Sequence, residues 1–427
     1  MKVLHGIQSP RKCLIMKTYS SHPKACLEYA EPHIDELLKH SIRTQLESLL
    51  KSKLTTEQRQ QVLQKSFVDT MTLVLSNTQV EHLKLVNAFE SMYDHAVQSM
   101  ALAQLSQEQL TRQYVSGSGL IMSPHNCKHT IKDVYRIQGY ARGIDQAIES
   151  KLKHSSSITI LYPACGPFAP LLLPLLSYYK ESTKFTSKQV NVILVDVHPG
   201  AILSLQQLVK DLQLGDYVLR IEEADATQYH PTESIDILVL EAMQHGFTKE
   251  GQLSIAKHLV QFLTIDGWMI PQNVSVKGMM VIGETEFNQQ WKDVDYSHSI
   301  TINKSAQQDR VELGEILSIN KSTLLNMQEL ELQDGVKVIP ANQITLPSNI
   351  QDMNKRIFAI YMHINTFADE SVGQYDSGIT HPRPDMTFYI DVKPRDIEHT
   401  HFVANSGDTV QFYYQLTGLP GFISAKV

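Results

Sequence analysis

Glu241 and Glu250 stand nine positions apart, on either side of Ala242-Met-Gln-His-Gly-Phe-Thr-Lys249. A pair of carboxylates neutralises a cation bidentately. A guanidinium is the natural partner, because it stays charged in water and offers planar, forked donors. Were one of its nitrogens the nucleophile, carboxylates that localise positive charge on the others would assist its attack. Spacing alone supports a second reading equally: Glu250 caps a helix over Gly251–Leu263 and Glu241 faces solvent.

Three further features precede this pair. The turn Tyr162-Pro-Ala-Cys-Gly-Pro-Phe168 follows an apolar strand and leads into a helix. Ala164 and Gly166 carry little or no side chain, so a ligand can approach the backbone there, next to Cys165 and Pro167. The turn is not G-x-G-x-x-G and lacks a P-loop lysine and hydroxyl. Asp196, followed by Val197, ends the second strand, where an acid can take both hydroxyls of a ribose; its other reading is a helix N-cap. Asp225 and Ala226 follow the third strand, where a carboxylate can accept from an exocyclic amine; Asp225 is otherwise a solvated loop acid. On successive strand ends, with nothing basic awaiting a phosphate, these features fit S-adenosylmethionine better than a phosphate-bearing cofactor.

The elements that must position these residues are legible in the periodicity. Lys132–Lys151 reads as an amphipathic helix. Strands are expected at Ile158–Tyr162, Val190–Val195, Val218–Ile221 and Ile235–Leu240, with a fifth starting at Trp268. Helices are expected between them, including Ala201–Leu212 and Gly251–Leu263. This alternation predicts an α/β fold with a parallel, doubly wound sheet. Upstream, apolar residues at three- and four-residue spacing mark a helix over Ile34–Leu50. Capping-box patterns at Thr55/Gln58, Thr78/Glu81 and Ser106/Gln109 mark further helix starts. Ser116-Gly-Ser-Gly119 is the expected break after this helical module. Beyond Pro271, short strand-like segments at Val274–Val281, Glu315–Ile319, Arg356–Ile364, Met386–Val392 and Thr409–Leu416 predict an antiparallel β-barrel or sandwich. The domains expected are therefore 1–115 helical, 116–272 cofactor-binding and 273–427 β-rich.

Composition narrows the setting. The 427 residues carry a net charge of −7 and 42% hydrophobic residues, so a global basic footprint for nucleic acid is absent. Four cysteines make no disulfide framework, which points to a reducing, cytoplasmic setting. The apolar run Leu171–Leu176 is too short to span a membrane, and Met1–Lys17 lacks the apolar core of a secretory signal. His125, Cys127 and His129 alternate, as do His399 and His401, but convergent partners for a metal are not visible, and no metal is expected.

Taken in order, the residues resemble the protein arginine methyltransferases over about residues 125–427. Glu241 and Glu250 look like that family's double-glutamate loop. The segment His129-Thr-Ile-Lys-Asp133-Val-Tyr-Arg136, then Tyr140 and Ile144, is similar to its run of acid, arginine and tyrosine. Ala164-Cys-Gly-Pro-Phe168 and Asp225 are most like the symmetric-dimethylating branch. Gly267-Trp-Met-Ile-Pro271 resembles the exit into the β-domain, and Ile379-Thr-His381 the threonine–histidine–tryptophan loop. The resemblance implies a Rossmann-like class I methyltransferase sheet and a homodimer. It implies that Arg136 pairs with the cofactor's carboxylate, that Tyr140 contacts the cofactor and Asp225 the adenine, and that His381 lies beside the substrate pocket. The sequence departs from the family at Pro382, where a tryptophan is usual, at Thr130, at the first loop glycine, and at Gln244-His245.

The reading is an S-adenosylmethionine-dependent methyltransferase that yields S-adenosylhomocysteine. Glu241, Glu250 and His381 are its catalytic candidates, and Glu241 also touches cofactor. The acceptor is a guanidinium or amine nitrogen of a small molecule or an arginine side chain. Pro382 and Thr130 favour a small or unusual acceptor. The alternatives are O- or C-methylation of a metabolite, or a non-catalytic binding protein that keeps the fold.

Overall fold

The computed structural model describes residues 43, 54–78, 80–291, 304–391 and 401–427. Apart from Arg43, the helix expected over Ile34–Leu50 lies outside the described residues, as do Cys13, Cys26 and His399. The chain divides at Thr55/Thr56, and the elements below belong to the second unit, Thr56–Val427.

Its centre is a parallel sheet. β1 (Tyr114–Val115) and β2 (Leu120–Ile121) form a separate small hairpin. The sheet strands are β3 (Ile158–Pro163), β4 (Val190–Asp196), β5 (Val218–Glu223), β6 (Ile235–Val239) and β7 (Leu263–Ile270). They lie in the order β5-β4-β3-β6-β7, all parallel. Strands buried on both faces read as continuous apolar runs, and β3, β4 and β6 do. The order reverses at β3, so the carboxyl ends of β3, β4 and β6 frame the switch-point crevice.

The helices follow the apolar spacing. α1 (Thr56–Val74) and α2 (His82–Leu102) precede the short α3 (Gln107–Thr111) and α4 (Lys128–Ile131). α5 (Val134–Leu152), α6 (Leu173–Ser182), α7 (Pro199–Asp211) and α8 (Gln252–Leu259) interleave with the sheet. The Ser106/Gln109 capping box forms, with Gln109 N–H donating to Ser106 Oγ. The Thr78/Glu81 box does not: the Thr78 hydroxyl is hydrogen-bonded to Ser76 Oγ, and helix α2 begins at His82 with Glu81 as its uncapped boundary.

α1 packs on α6 and α2 on α7. Buried Asp211, at the end of α7, ties them down. Gln60 Nε2 and Ser99 Oγ donate to its carboxylate at 3.2 and 2.8 Å, and Arg59 Nη2 lies 3.5 Å away. From Thr56 onward the N-terminal helices pack on the helices of the sheet.

The C-terminal region is an antiparallel sandwich. One sheet carries Glu370–Val372, Arg356–Phe367, Asn273–Ile282 and Val311–Ile319, with Arg383–Pro384 at its side. The other carries Leu330–Glu331, Lys337–Thr345, Thr409–Gln415 and Gly421–Lys426. Phe358 from the first sheet and Phe412 from the second stack at 5.7 Å, with Phe388 between the layers. Among the described residues neither sheet closes on itself. Among them, too, no helix is long and apolar enough to cross a membrane.

Candidate active site

β4 delivers Asp196 to the crevice. Its carboxylate is buried and accepts two backbone N–H groups, Gly166 on Oδ2 and His198 on Oδ1, each at 2.8 Å. Burial pushes its pKa up, and those hydrogen bonds pull it back. The turn after β3 bends through left-handed backbone at Ala164 (φ 48°) and Gly166 (φ 65°). A Cβ on Gly166 would meet only Cys127 Sγ, at 3.8 Å, so the missing side chain leaves open space in the cavity wall. Ser204 Oγ on α7 donates to Pro167 O at 2.9 Å and fixes the far end of the turn. Cys165 is buried and its thiol is pushed well up by burial, which makes it a packing residue rather than a nucleophile.

α5 delivers Arg136. Its Nη1 donates to Glu241 Oε1 at 2.9 Å, and its Nε lies 3.2 Å from Asp133 Oδ2. All three groups are nearly buried. Desolvation opposes the guanidinium charge, but Glu241 and Asp133 overcome it and raise the Arg136 pKa. Burial raises both carboxyls, and Arg136 lowers them. Asp133 also accepts from Ser377 Oγ of the β-sandwich at 2.6 Å, so the pair is anchored from both domains.

The segment from Glu241 to Glu250 is tied on every side. Gln252 Oε1 accepts Ala242 N–H at 2.7 Å, and Gly246 N–H donates to Ile379 O at 3.1 Å. The Tyr414 hydroxyl donates to Phe247 O at 2.8 Å. Lys249 N–H donates to Pro420 O and its carbonyl accepts Leu120 N–H, both at 2.7 Å. The β1–β2 hairpin closes against this loop through Gly119, whose φ is +149°. A Cβ there would lie 2.7 Å from Gly251 N and 2.8 Å from the Glu250 carbonyl carbon, which only glycine permits.

Two adjoining cavities result. The first sits on the strand ends and is lined by Arg136, Ala164, Cys165, Gly166, Pro167, Asp196, Val197, Asp225, Ala226, Glu241 and Glu250. Its acidic and basic side chains are four carboxylates (Asp196, Asp225, Glu241, Glu250) against one guanidinium, Arg136. The second, open to solvent, shares Met122, Thr130, Arg136, Met243 and Glu250 with the first. Glu250 therefore faces both. Burial, and then the Glu241 carboxylate, push its pKa up to about 7.

The structure brings together every cofactor candidate from the sequence except Tyr140. That side chain lies one helical turn beyond Arg136, fully buried behind the wall, and its hydroxyl has no hydrogen-bond partner among the described residues. His381 is not brought to either cavity. The tight Ser377–His381 turn, with Thr380 and His381 N–H both donating to Ser377 O, turns it into the core against Tyr375. Burial, then Arg383, push its pKa down to about 3, which favours the neutral imidazole at ordinary pH. Its carbonyl instead accepts from His245 Nε2 at 2.7 Å, and His245 lines the second cavity. Pro382 lines neither cavity.

The sequence alone did not assign to the site the hairpin wall, Ser116 to Met122, or Tyr162, which also lines the first cavity. The Ser-Gly-Ser-Gly signal was visible but reads as a break unless the chain folds back.

No known family's sequence profile matches this chain, and no curated protein matches it. Among solved structures it is similar to Trypanosoma brucei PRMT1, in an enzyme–prozyme heterotetrameric complex with AdoHcy. That match is 13% identical with a TM-score of 0.40, over 70% of this chain and 96% of that one. It is also similar to Arabidopsis thaliana protein arginine methyltransferase 10, in a uniquely open conformation. There the identity is 12% and the TM-score 0.41, over 71% and 96% of the two chains.

Proposed function

We propose that this chain is an S-adenosylmethionine-dependent methyltransferase acting on a guanidinium or amine nitrogen. The carrying observation is the anionic cavity on the strand ends, joined across Glu250 to a second cavity. A ligand with a sulfonium and an ammonium suits a wall of four carboxylates and one already-paired arginine; a phosphate does not. The open wall at Gly166 leaves room for it. When bound, the cofactor supplies an electrophilic methyl group.

The chain's own residues do the rest. Asp196, held rigid by two backbone donors, offers its remaining lone pairs to ribose hydroxyls, and Asp225 faces the adenine amine. Arg136, which lines both cavities, fixes the Glu241 carboxylate in the wall of the first. Glu241 and Glu250 hold the acceptor cation, so that its charge sits away from the attacking nitrogen. Glu250 then takes the proton that this nitrogen loses. A homodimer in the reducing cytoplasm belongs to the same proposal; a monomer by light scattering would remove the dimer without touching the chemistry.

The Glu250 carboxyl gives a pH signature. With its pKa raised to about 7, it is protonated below that pH and charged above it. Only the charged form holds a cation and accepts a proton. The kcat/KM profile should therefore rise with pH through one ionisation near 7, and Glu250→Gln should abolish that limb along with most of the activity. An acid limb that survives in the variant would assign it to another group.

A further inference from the structure

Gln244 is one of the positions at which the sequence departs from the family it resembles, and the chemistry above gives it no task. Its place in the fold is specific. Its backbone pairs with Thr248 in a single antiparallel bridge, with Gln244 N–H donating to Thr248 O at 3.1 Å. The same Thr248 carbonyl accepts Glu250 N–H at 2.9 Å, so one oxygen ties both residues. The half-buried Gln244 side chain lines the second cavity beside Glu250 and Met122. Its Nε2 donates to Met122 Sδ, 3.6 Å away on the hairpin wall. A thioether is a weak acceptor, and an amide nitrogen carries two hydrogens. Its other partner is the Glu250 side chain, to which the Gln244 side chain is hydrogen-bonded.

We propose that Gln244 is a positioning residue for Glu250: its amide, tethered to the hairpin at Met122, holds the Glu250 carboxylate where the two cavities meet. A donor facing a carboxyl group favours the charged form. Here it opposes the surroundings. Burial, Glu241 and Asp196 push Glu250 toward the neutral acid, and Gln244 and Arg136 pull it back. Lys132, Lys249 and Arg383 also line the second cavity. His245 there is pushed down to about 4, and burial pushes up the Cys127 thiol in the first cavity, which favours the neutral form of each. A substitution at Gln244 leaves all of these groups in place. The inference rests on the methyltransferase reading above for what Glu250 does, but not for how Gln244 holds it.

The titration of Glu250 reads the contact directly and needs no acceptor. The full chain is isotopically labelled at its glutamate carboxyl carbons and followed by NMR against pH, with the Glu250 signal assigned by its loss in Glu250→Gln. The parent should titrate at about 7. Gln244→Met keeps the length of the side chain and removes both donors. It should raise that midpoint by about one pH unit or more, as loss of a hydrogen bond to a charged group gives. Gln244→Leu should do the same, and either variant suffices where the other does not fold. A merely structural role has the opposite sign, because a loosened loop wets Glu250 and lowers its midpoint. An unmoved or lowered midpoint in a variant with a parent-like denaturant midpoint would overturn the inference. Calorimetry with S-adenosylhomocysteine on the same samples separates the two readings. A parent that binds none removes the methyltransferase reading, while the Glu250 midpoint still decides what Gln244 does.

Discussion

Glu241→Gln should lower methyl transfer by about a thousandfold while changing S-adenosylhomocysteine affinity by no more than about threefold. The substitution keeps the shape and an acceptor oxygen for Arg136 Nη1, 2.9 Å away in the parent. What it removes is the charge of a buried carboxylate in the wall of the first cavity, where burial leaves it little screened. An interaction that matters mainly as charge shifts onto the other nitrogens affects kcat rather than binding. Single-turnover rates followed by mass spectrometry, with calorimetry on the same preparation, separate the two effects. Parent-like turnover in Glu241→Gln would remove the carboxylate clamp.

Arg136→Ala should be the most destabilising single change in the site, by about 3–5 kcal/mol, because it strands two buried carboxylates at once. Glu241 loses its partner at 2.9 Å and Asp133 its partner at 3.2 Å. The loss has a definite pH dependence. Burial already raises both carboxyl pKa values above those of the unfolded chain, and removing the cation raises them further. The variant's folded state thus binds more protons than its unfolded state over that window, so its stability falls as pH rises through it and recovers on acidification. Denaturant midpoints for parent and variant at two pH values check this. A deficit that is absent, or that grows on acidification, would contradict the buried triad.

How much of this was legible in the sequence depends on what each residue packs against. β3, β4 and β6 are sandwiched between layers of helix, so their apolar runs announce them, and the strand ends place Asp196, Asp225 and Glu241 at one crevice. β5 and β7 sit at the sheet edges, with Arg220 and Glu222 inside β5 and a fully exposed Ile265 inside β7. Their polar halves therefore read as loop, and both strands run further than expected. Helix α5 shows Arg136 clearly. It cannot show that Tyr140, four positions later on the same face, lies behind the cavity wall instead of in it. His381 falls on a motif, yet whether a loop histidine faces a cavity or the core depends on the Ser377 turn that only tertiary contacts set. The helices α1 and α2 look self-sufficient by period, and nothing local reveals Asp211 as their anchor, more than a hundred residues from Ser99. The β1–β2 wall of the first cavity closes against Glu250 and Gly251, more than a hundred residues further along the chain. Periodicity carries no information on such pairings.

The most direct test is a calorimetric titration of S-adenosylhomocysteine into the full chain at pH above 7. The account predicts saturable one-to-one binding with a dissociation constant in the micromolar range or below, on the order of −8 kcal/mol. The same titration on an Asp196→Ala protein of parent-like fold serves as the control for site. No saturable heat from the parent at ligand concentrations of about 1 mM, corresponding to roughly −4 kcal/mol, would contradict the account and leave a methyltransferase-like fold with no cofactor to use.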